Sequence, residues 1–231
     1  MSAVIFEHTE NMTPKTVTAP VKVKIKVPSG TIYWGGAGLD GPYVRPQVQA
    51  FVQAGIKNVW VGLTNTATAN KAMKGFPGTI VDAIRAGLVI RSEDDDAWTI
   101  DHGMDKPSEQ FNLIGYSYGS LLAAQTANYY AKQGHQVDHL VIIGSPIDSE
   151  FLFRLRAYRN IKKVVVIDLR DKGDHIYAGM PWLDLTMGVP QLAQDMLAGK
   201  GQGHFYYGHV VADSQQRWAS LAKKLYDAGL R

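Results

Sequence analysis

The pentapeptide Gly115-Tyr116-Ser117-Tyr118-Gly119 constrains the fold of this chain more than any other feature. It stands between an apolar run at 111–114 and a helical stretch at 120–133 that stops at Gly134. A serine with a glycine two positions to either side, placed between a strand and a helix, reads as a sharp strand-to-helix turn. The glycines let the two elements approach without Cβ clashes, and the bend lifts the serine hydroxyl clear of the sheet. The helix N-terminus beneath it offers amides and a partial positive charge to an anion forming there.

The rest of the sequence repeats the same strand-then-helix rhythm. Thr31-Ile32-Tyr33-Trp34 is a strand halted by Gly35-Gly36-Ala37-Gly38, 44–54 a helix ended by Gly55, and 58–63 a buried strand. A second helix is expected at 78–86. Two further apolar strands, 139–143 and 164–169, flank a helical stretch near 149–158. The final helix puts Trp218, Leu221, Ala222 and Leu225 on one face. Upstream, Val21-Lys22-Val23-Lys24-Ile25-Lys26-Val27 alternates as a half-exposed strand near a sheet edge. The Thr- and Pro-rich residues 1–20 read as a loose arm after a short strand at 3–6.

Val- and Ile-rich strands alternating with helices predict a three-layer α/β/α sandwich with a mainly parallel sheet. One domain is expected over 21–231, with reactive groups at the carboxyl ends of its strands.

Composition narrows the chemistry. None of the 231 residues is cysteine, which excludes disulfides, thiolate metal sites and a cysteine nucleophile. Twenty-four Lys and Arg against 21 Asp and Glu leave a net charge of +3, too little for a nucleic-acid partner. The apolar runs are too short for a membrane span, and no secretory signal is visible at the N-terminus. The expectation is a soluble chain, either cytoplasmic or exported by a signal-independent route. The acidic run Glu93-Asp94-Asp95-Asp96 lacks the alternating ligand spacing of a calcium loop and reads as a solvated loop, so no metal is expected. The stretch 151–159 mixes aromatics with arginine. It reads as a helix packed on the sheet with its cations in water, with peripheral membrane contact as the alternative.

Through Gly115–Gly119, the glycine run after an earlier strand, and Asp and His residues downstream, the sequence resembles the α/β-hydrolase superfamily over most of its length. More loosely, Gly35-Gly36-Ala37-Gly38-Leu39-Asp40-Gly41 and Gly203-His204-Phe205-Tyr206-Tyr207 look like small bacterial lipase-type proteins, including lipase effectors of the type VI secretion system. The resemblance implies a Ser-Asp-His chain order, with Ser117 as nucleophile.

Five histidines follow Ser117. His135 lies at the far end of the helix, His139 opens a strand at the wrong end of a parallel sheet, and His175 directly follows an acid candidate. His204 is therefore favoured as base, with His209 as the alternative. Asp174, after a glycine, is favoured as the acid over Asp171, while Asp168 is expected to remain within its strand. The amide of Tyr118, with that of Ala37 or Gly36, is the expected oxyanion hole. Residues 177–200, with Met180-Pro181-Trp182-Leu183 and Leu185-Thr186-Met187, are read equally as a lid or as core packing. These expectations add up to a serine hydrolase of carboxylic, lipid-like esters that works through an acyl-enzyme without metal or organic cofactor. Two alternatives stand beside it: a non-catalytic binding module of the same fold, and an acyltransferase or thioesterase using the same serine.

Overall fold

The computed structural model describes residues 28–37, 41–62, 108–181, 184, 192, 194–195 and 197–231. The expected arm at 1–20, the strands at 3–6 and 21–27, the helix at 78–86 and the acidic run at 93–96 lie outside these residues. So do Gly38, Leu39 and Asp40, and most of the expected lid beyond Pro181.

Five strands form one parallel sheet: β1 (Gly30–Trp34), β2 (Val59–Val61), β3 (Phe111–Tyr116), β4 (Val137–Ile143) and β5 (Ile161–Ile167), in the order β2-β1-β3-β4-β5. Ile32 pairs with Trp60 on one side and Leu113 on the other. Every residue of β1 and β3 is buried, as a sheet covered on both faces requires.

Successive side chains divide between two cores. Ile32, Trp34, Leu113, Leu140 and Ile142 pack with helices α2 (Tyr118–Lys132) and α3 (Ser149–Ala157). Tyr33, Ile114, Val141 and Ile143 pack with α1 (Val44–Gln53) and α4 (Ser214–Asp227). The described residues thus form an α/β/α sandwich. Helix α1 tolerates Pro46 because it falls in the first turn, where an amide has no helical partner to lose. Helix α3 is capped by Asp148, whose carboxylate accepts from the Phe151 amide at 2.7 Å. It buries Phe151, Leu152 and Leu155 against the sheet, so it packs as a core helix.

Strand boundaries differ from expectation where tertiary contacts decide them. Strand β5 begins at Ile161, which is buried, and its exposed Lys163 reaches the Ala228 carbonyl at 2.7 Å. It ends at Ile167, so Asp168 lies beyond the strand rather than within it. There its carboxylate accepts from the Ala178 amide at 3.0 Å, holding the following loop. Strand β4 starts at Val137, so His139 is its third residue and not its first. Helix α2 starts directly after Ser117 because the backbone reverses there in one residue.

At the amino ends of the strands a buried polar chain ties the sheet together. Asn112 donates to the Thr31 hydroxyl at 3.0 Å and accepts from His139 Nδ1 at 2.8 Å. Burial holds the His139 imidazole below its ordinary value of 6.5, against a smaller opposing pull from Asp138. Burial does the same to His209. A histidine kept neutral in the fold but protonated in the unfolded chain costs stability as the pH falls past its unfolded value. The melting temperature is therefore expected to fall between about pH 7 and about pH 5, with a shallower slope in His139→Gln. Thermal melts across that range check it.

The strand order reverses between β1 and β3. In open parallel sheets, that reversal opens a crevice at the carboxyl ends of the strands. Gly35, Gly36 and Ala37 follow β1, and Ser117 follows β3.

Candidate active site

Ser117 has φ 53° and ψ −123°, a conformation that side-chain-bearing residues rarely adopt. The neighbouring glycines explain how it is tolerated. A Cβ on Gly115 would lie 2.2 Å from the Gly119 carbonyl oxygen, and one on Gly119 would lie 2.1 Å from the Gly35 carbonyl oxygen. Strand, helix and glycine run therefore meet backbone to backbone around the serine. The turn is held by the Ser117 amide, which donates to the Ile143 carbonyl at 2.8 Å. Its carbonyl accepts from the Ser120 hydroxyl at 2.5 Å, and Ser120 in turn lies 2.7 Å from the Ser145 hydroxyl.

Asp174 follows the end of β5 through a 3-10 turn, Arg170–Lys172, that is closed by Gly173 at φ +89°. One carboxylate oxygen accepts from the Ile176 amide at 2.8 Å, a local Asx turn that fixes the side chain. The other faces His204 Nδ1 at 2.8 Å. His204 sits in a second 3-10 turn, Gly203–Phe205, and its Nε2 is 2.6 Å from Ser117 Oγ. Both Asp174 and His204 are buried, at 6% and 3% exposure, so water does not compete for their contact. A buried carboxylate accepts only, so Nδ1 carries the proton and Nε2 is left to accept from the serine hydroxyl.

The loop bearing His204 is pinned at its own carbonyls. Arg217 on α4 donates to the carbonyls of Gly201 at 2.5 Å and Tyr206 at 3.0 Å, and its guanidinium lies 4.1 Å over the Tyr206 ring. Trp218 Nε1 donates to the Tyr207 carbonyl at 3.1 Å, and the Tyr116 hydroxyl to the carbonyl of His204 itself at 2.5 Å. Gly144, at φ +51° after β4, floors the pair, since a Cβ there would stand 3.5 Å from Asp174 Oδ2 and 3.6 Å from His204 Cε1.

The alternatives fall elsewhere. His209 accepts from the Gly201 amide at 3.3 Å through Nδ1 and stacks on Phe205 at 4.7 Å, so it supports the loop and does not face the serine. Asp171 is exposed and paired with Lys172 at 2.8 Å, a contact that lowers its carboxyl below the ordinary range. His139 belongs to the polar chain at the opposite end of the sheet, while His135 and His175 are exposed.

Of the expected oxyanion donors, Tyr118 occupies the first position of α2, where the helical ladder does not use the amide. Gly36 lies against the nucleophile, a Cβ there standing 3.5 Å from that of Ser117. Its amide, however, donates to the Tyr43 hydroxyl at 2.6 Å. Of the two glycine-run amides considered, that of Gly36 is thus engaged within the protein. Sequence reasoning missed Tyr43, Tyr116 and Arg217, whose partners are brought to them only by the fold. Among the described residues, no group of three or more His, Asp or Glu side chains stands together as a metal site. No helix among them is long and apolar enough to cross a membrane.

Residues 100–177, about a third of the chain, match the family model described as Thioesterase domain, a member of the α/β-hydrolase superfamily. The matched stretch contains Ser117 and Asp174 and ends before His204. Searches of curated proteins and of solved structures returned no match. The parallel sheet between helices is that of the α/β-hydrolase type, and the match supports a hydrolase acting on esters or thioesters.

Proposed function

We propose that this protein is a serine hydrolase that cleaves lipid-like carboxylic esters through a covalent acyl-enzyme. One observation carries the reading: an unbroken line from Ser117 Oγ through His204 to the buried Asp174 carboxylate, built on a strained elbow. A serine hydroxyl is a weak nucleophile until a neighbouring base takes its proton, and strain at this turn has a cost that packing alone does not require.

In the mechanism, Ser117 Oγ attacks the acyl carbonyl while its proton passes to His204 Nε2. Asp174 holds the imidazole in the required tautomer and stabilises its transient positive charge. The amides of Tyr118 and Ala37 take up the negative charge on the tetrahedral oxygen. When the bond to the leaving group breaks, His204 returns the proton to it, leaving the acyl group on Ser117. Water, deprotonated by the same Nε2, then attacks the acyl carbonyl; the bond to Ser117 Oγ breaks, His204 returns the proton to Oγ, and the acid leaves. The loose resemblance of 35–41 and 203–207 to small bacterial lipase-type proteins supports a lipid as acyl donor.

A second reading keeps this chemistry with a thioester as substrate. The family match at 100–177 favours it. A thiolate leaves without needing a full proton transfer, so such a site depends less on His204 as acid.

The test pairs a fluorophosphonate probe with two substrates of the same acyl chain, a nitrophenyl ester and an N-acetylcysteamine thioester. The probe is expected to label the wild type and not Ser117→Ala. A higher kcat/KM for the oxygen ester supports the first reading, and a higher value for the thioester supports the second. Folded wild type that resists the probe and hydrolyses neither substrate overturns both.

A further inference from the structure

Tyr116, the residue just before the nucleophile, meets the base in two ways. Its hydroxyl donates to the His204 carbonyl at 2.5 Å, and its ring lies nearly parallel to the imidazole, 6.0 Å between centroids at 21°. It is also tied to the opposite wall of the crevice. Tyr43 meets it edge-on at 5.6 Å, and the Tyr43 hydroxyl accepts from the Gly36 amide. Tyr116 approaches the histidine loop closely: a Cβ on Gly208 would stand 2.9 Å from the tyrosine oxygen, so a side chain there would push the phenol aside.

We propose that Tyr116 is a positioning residue that keeps the His204 imidazole in line with Ser117, its hydroxyl fixing the backbone of the base and its ring fixing the plane of the imidazole. The catalytic half of this inference rests on the hydrolase reading above.

The geometry explains why such a device is needed. His204 lies 87 residues beyond Ser117, on a short 3-10 turn with no strand of its own among the described residues, so the base is not carried to the nucleophile by the sheet directly and depends on side chains that reach its loop. Tyr116 is the last residue of β3 and neighbours Ser117, so a bond from it to His204 refers the base directly to the strand that carries the nucleophile. Burial, followed by the neighbouring Tyr43 and Asp174, pushes the phenol well above its ordinary value of 10.0. The hydroxyl therefore keeps its proton and remains a donor. A misplacement of about 1 Å between nucleophile and base costs on the order of a hundredfold in rate, so losing this bond should be felt in the chemistry and not in binding.

Tyr116→Phe keeps the ring and removes the donor. Gly208→Ala perturbs the same contact from the other side and leaves the phenol intact. Two readouts are taken on each folded variant. The first is fluorophosphonate labelling, resolved into the maximal rate and the half-saturating probe concentration. The second is the proton resonance of the His204 Nδ1–H donated to Asp174, which a charge-assisted bond moves far downfield.

The expected result for both variants is a maximal labelling rate lower by about tenfold or more, at an unchanged half-saturating concentration, with the downfield line shifted or broadened. Unchanged rate and unchanged line in folded Tyr116→Phe overturn the proposal. A lower rate with an unmoved line overturns it too, because the base then has not moved. Wild type that resists the probe overturns the hydrolase reading alone when the line still shifts in Tyr116→Phe, because the resonance reports the imidazole without any reaction.

Discussion

Replacing Ser117 with alanine is expected to reduce ester or thioester hydrolysis by about 10⁴-fold or more, with no loss of fold. Alanine carries the same Cβ into the same backbone well, φ 53° and ψ −123°, so the substitution leaves the strain in place and removes only the hydroxyl. Whatever rate survives comes from the oxyanion amides and from substrate binding. Ser117→Gly sharpens the test. Glycine adopts that conformation without steric cost, and a side chain held there carries strain on the order of 1–3 kcal/mol. The glycine variant is therefore expected to be as inactive as alanine yet to melt higher than both alanine and wild type. The gain is smaller than the strain alone, because glycine also loses more entropy on folding. Turnover assays and thermal melts on the three proteins check both halves. A glycine variant less stable than alanine would mean that the strain at the elbow is smaller than the entropy glycine loses on folding.

Among the described residues, the order of secondary structure was legible because it depends on local chemistry. The apolar, β-branched stretches 139–143 and 164–169 mark the strands that run Val137–Ile143 and Ile161–Ile167, and the last helix carries its apolar face at helical spacing. The elbow was legible because Gly115 and Gly119 answer a steric demand that no other residue meets. What sequence could not give is anything set by contacts between distant segments. Sequence reads 164–169 as one strand that includes Asp168, but the strand ends at Ile167 and the Asp168 carboxylate is taken by the Ala178 amide. Gly36 and Ala37 looked equivalent as amide donors until Tyr43 folded back over the first of them. Tyr116 and Arg217 carry no periodicity that marks them, because their partners are backbone carbonyls brought close only when α4 and the histidine loop dock on the sheet. His204 and His209 both sit among glycines and aromatics. Only the fold separates the imidazole at 2.6 Å from Ser117 from the one stacked on Phe205.

Asp174→Asn is expected to cost about 10⁴-fold in kcat while the protein remains folded and the half-saturating substrate concentration changes little. The reason lies in the direction of one proton. As a carboxylate, Asp174 can only accept, so His204 must place its hydrogen on Nδ1 and keep Nε2 open toward Ser117. An asparagine at 174 has two demands to satisfy, the Ile176 amide and His204 Nδ1. Its oxygen is the only group that can accept from the Ile176 amide, which turns its NH₂ toward the imidazole. Nδ1 then becomes the acceptor, the ring hydrogen moves to Nε2, and Nε2 can no longer take the serine proton. The same substitution at Asp171, whose carboxylate is exposed and paired with Lys172, is expected to leave kcat within about twofold. Steady-state kinetics on the two asparagine variants separate the acids. A large loss at 171 with little at 174 would transfer the role to the wrong side of the turn and remove the basis for an imidazole oriented by a buried carboxylate.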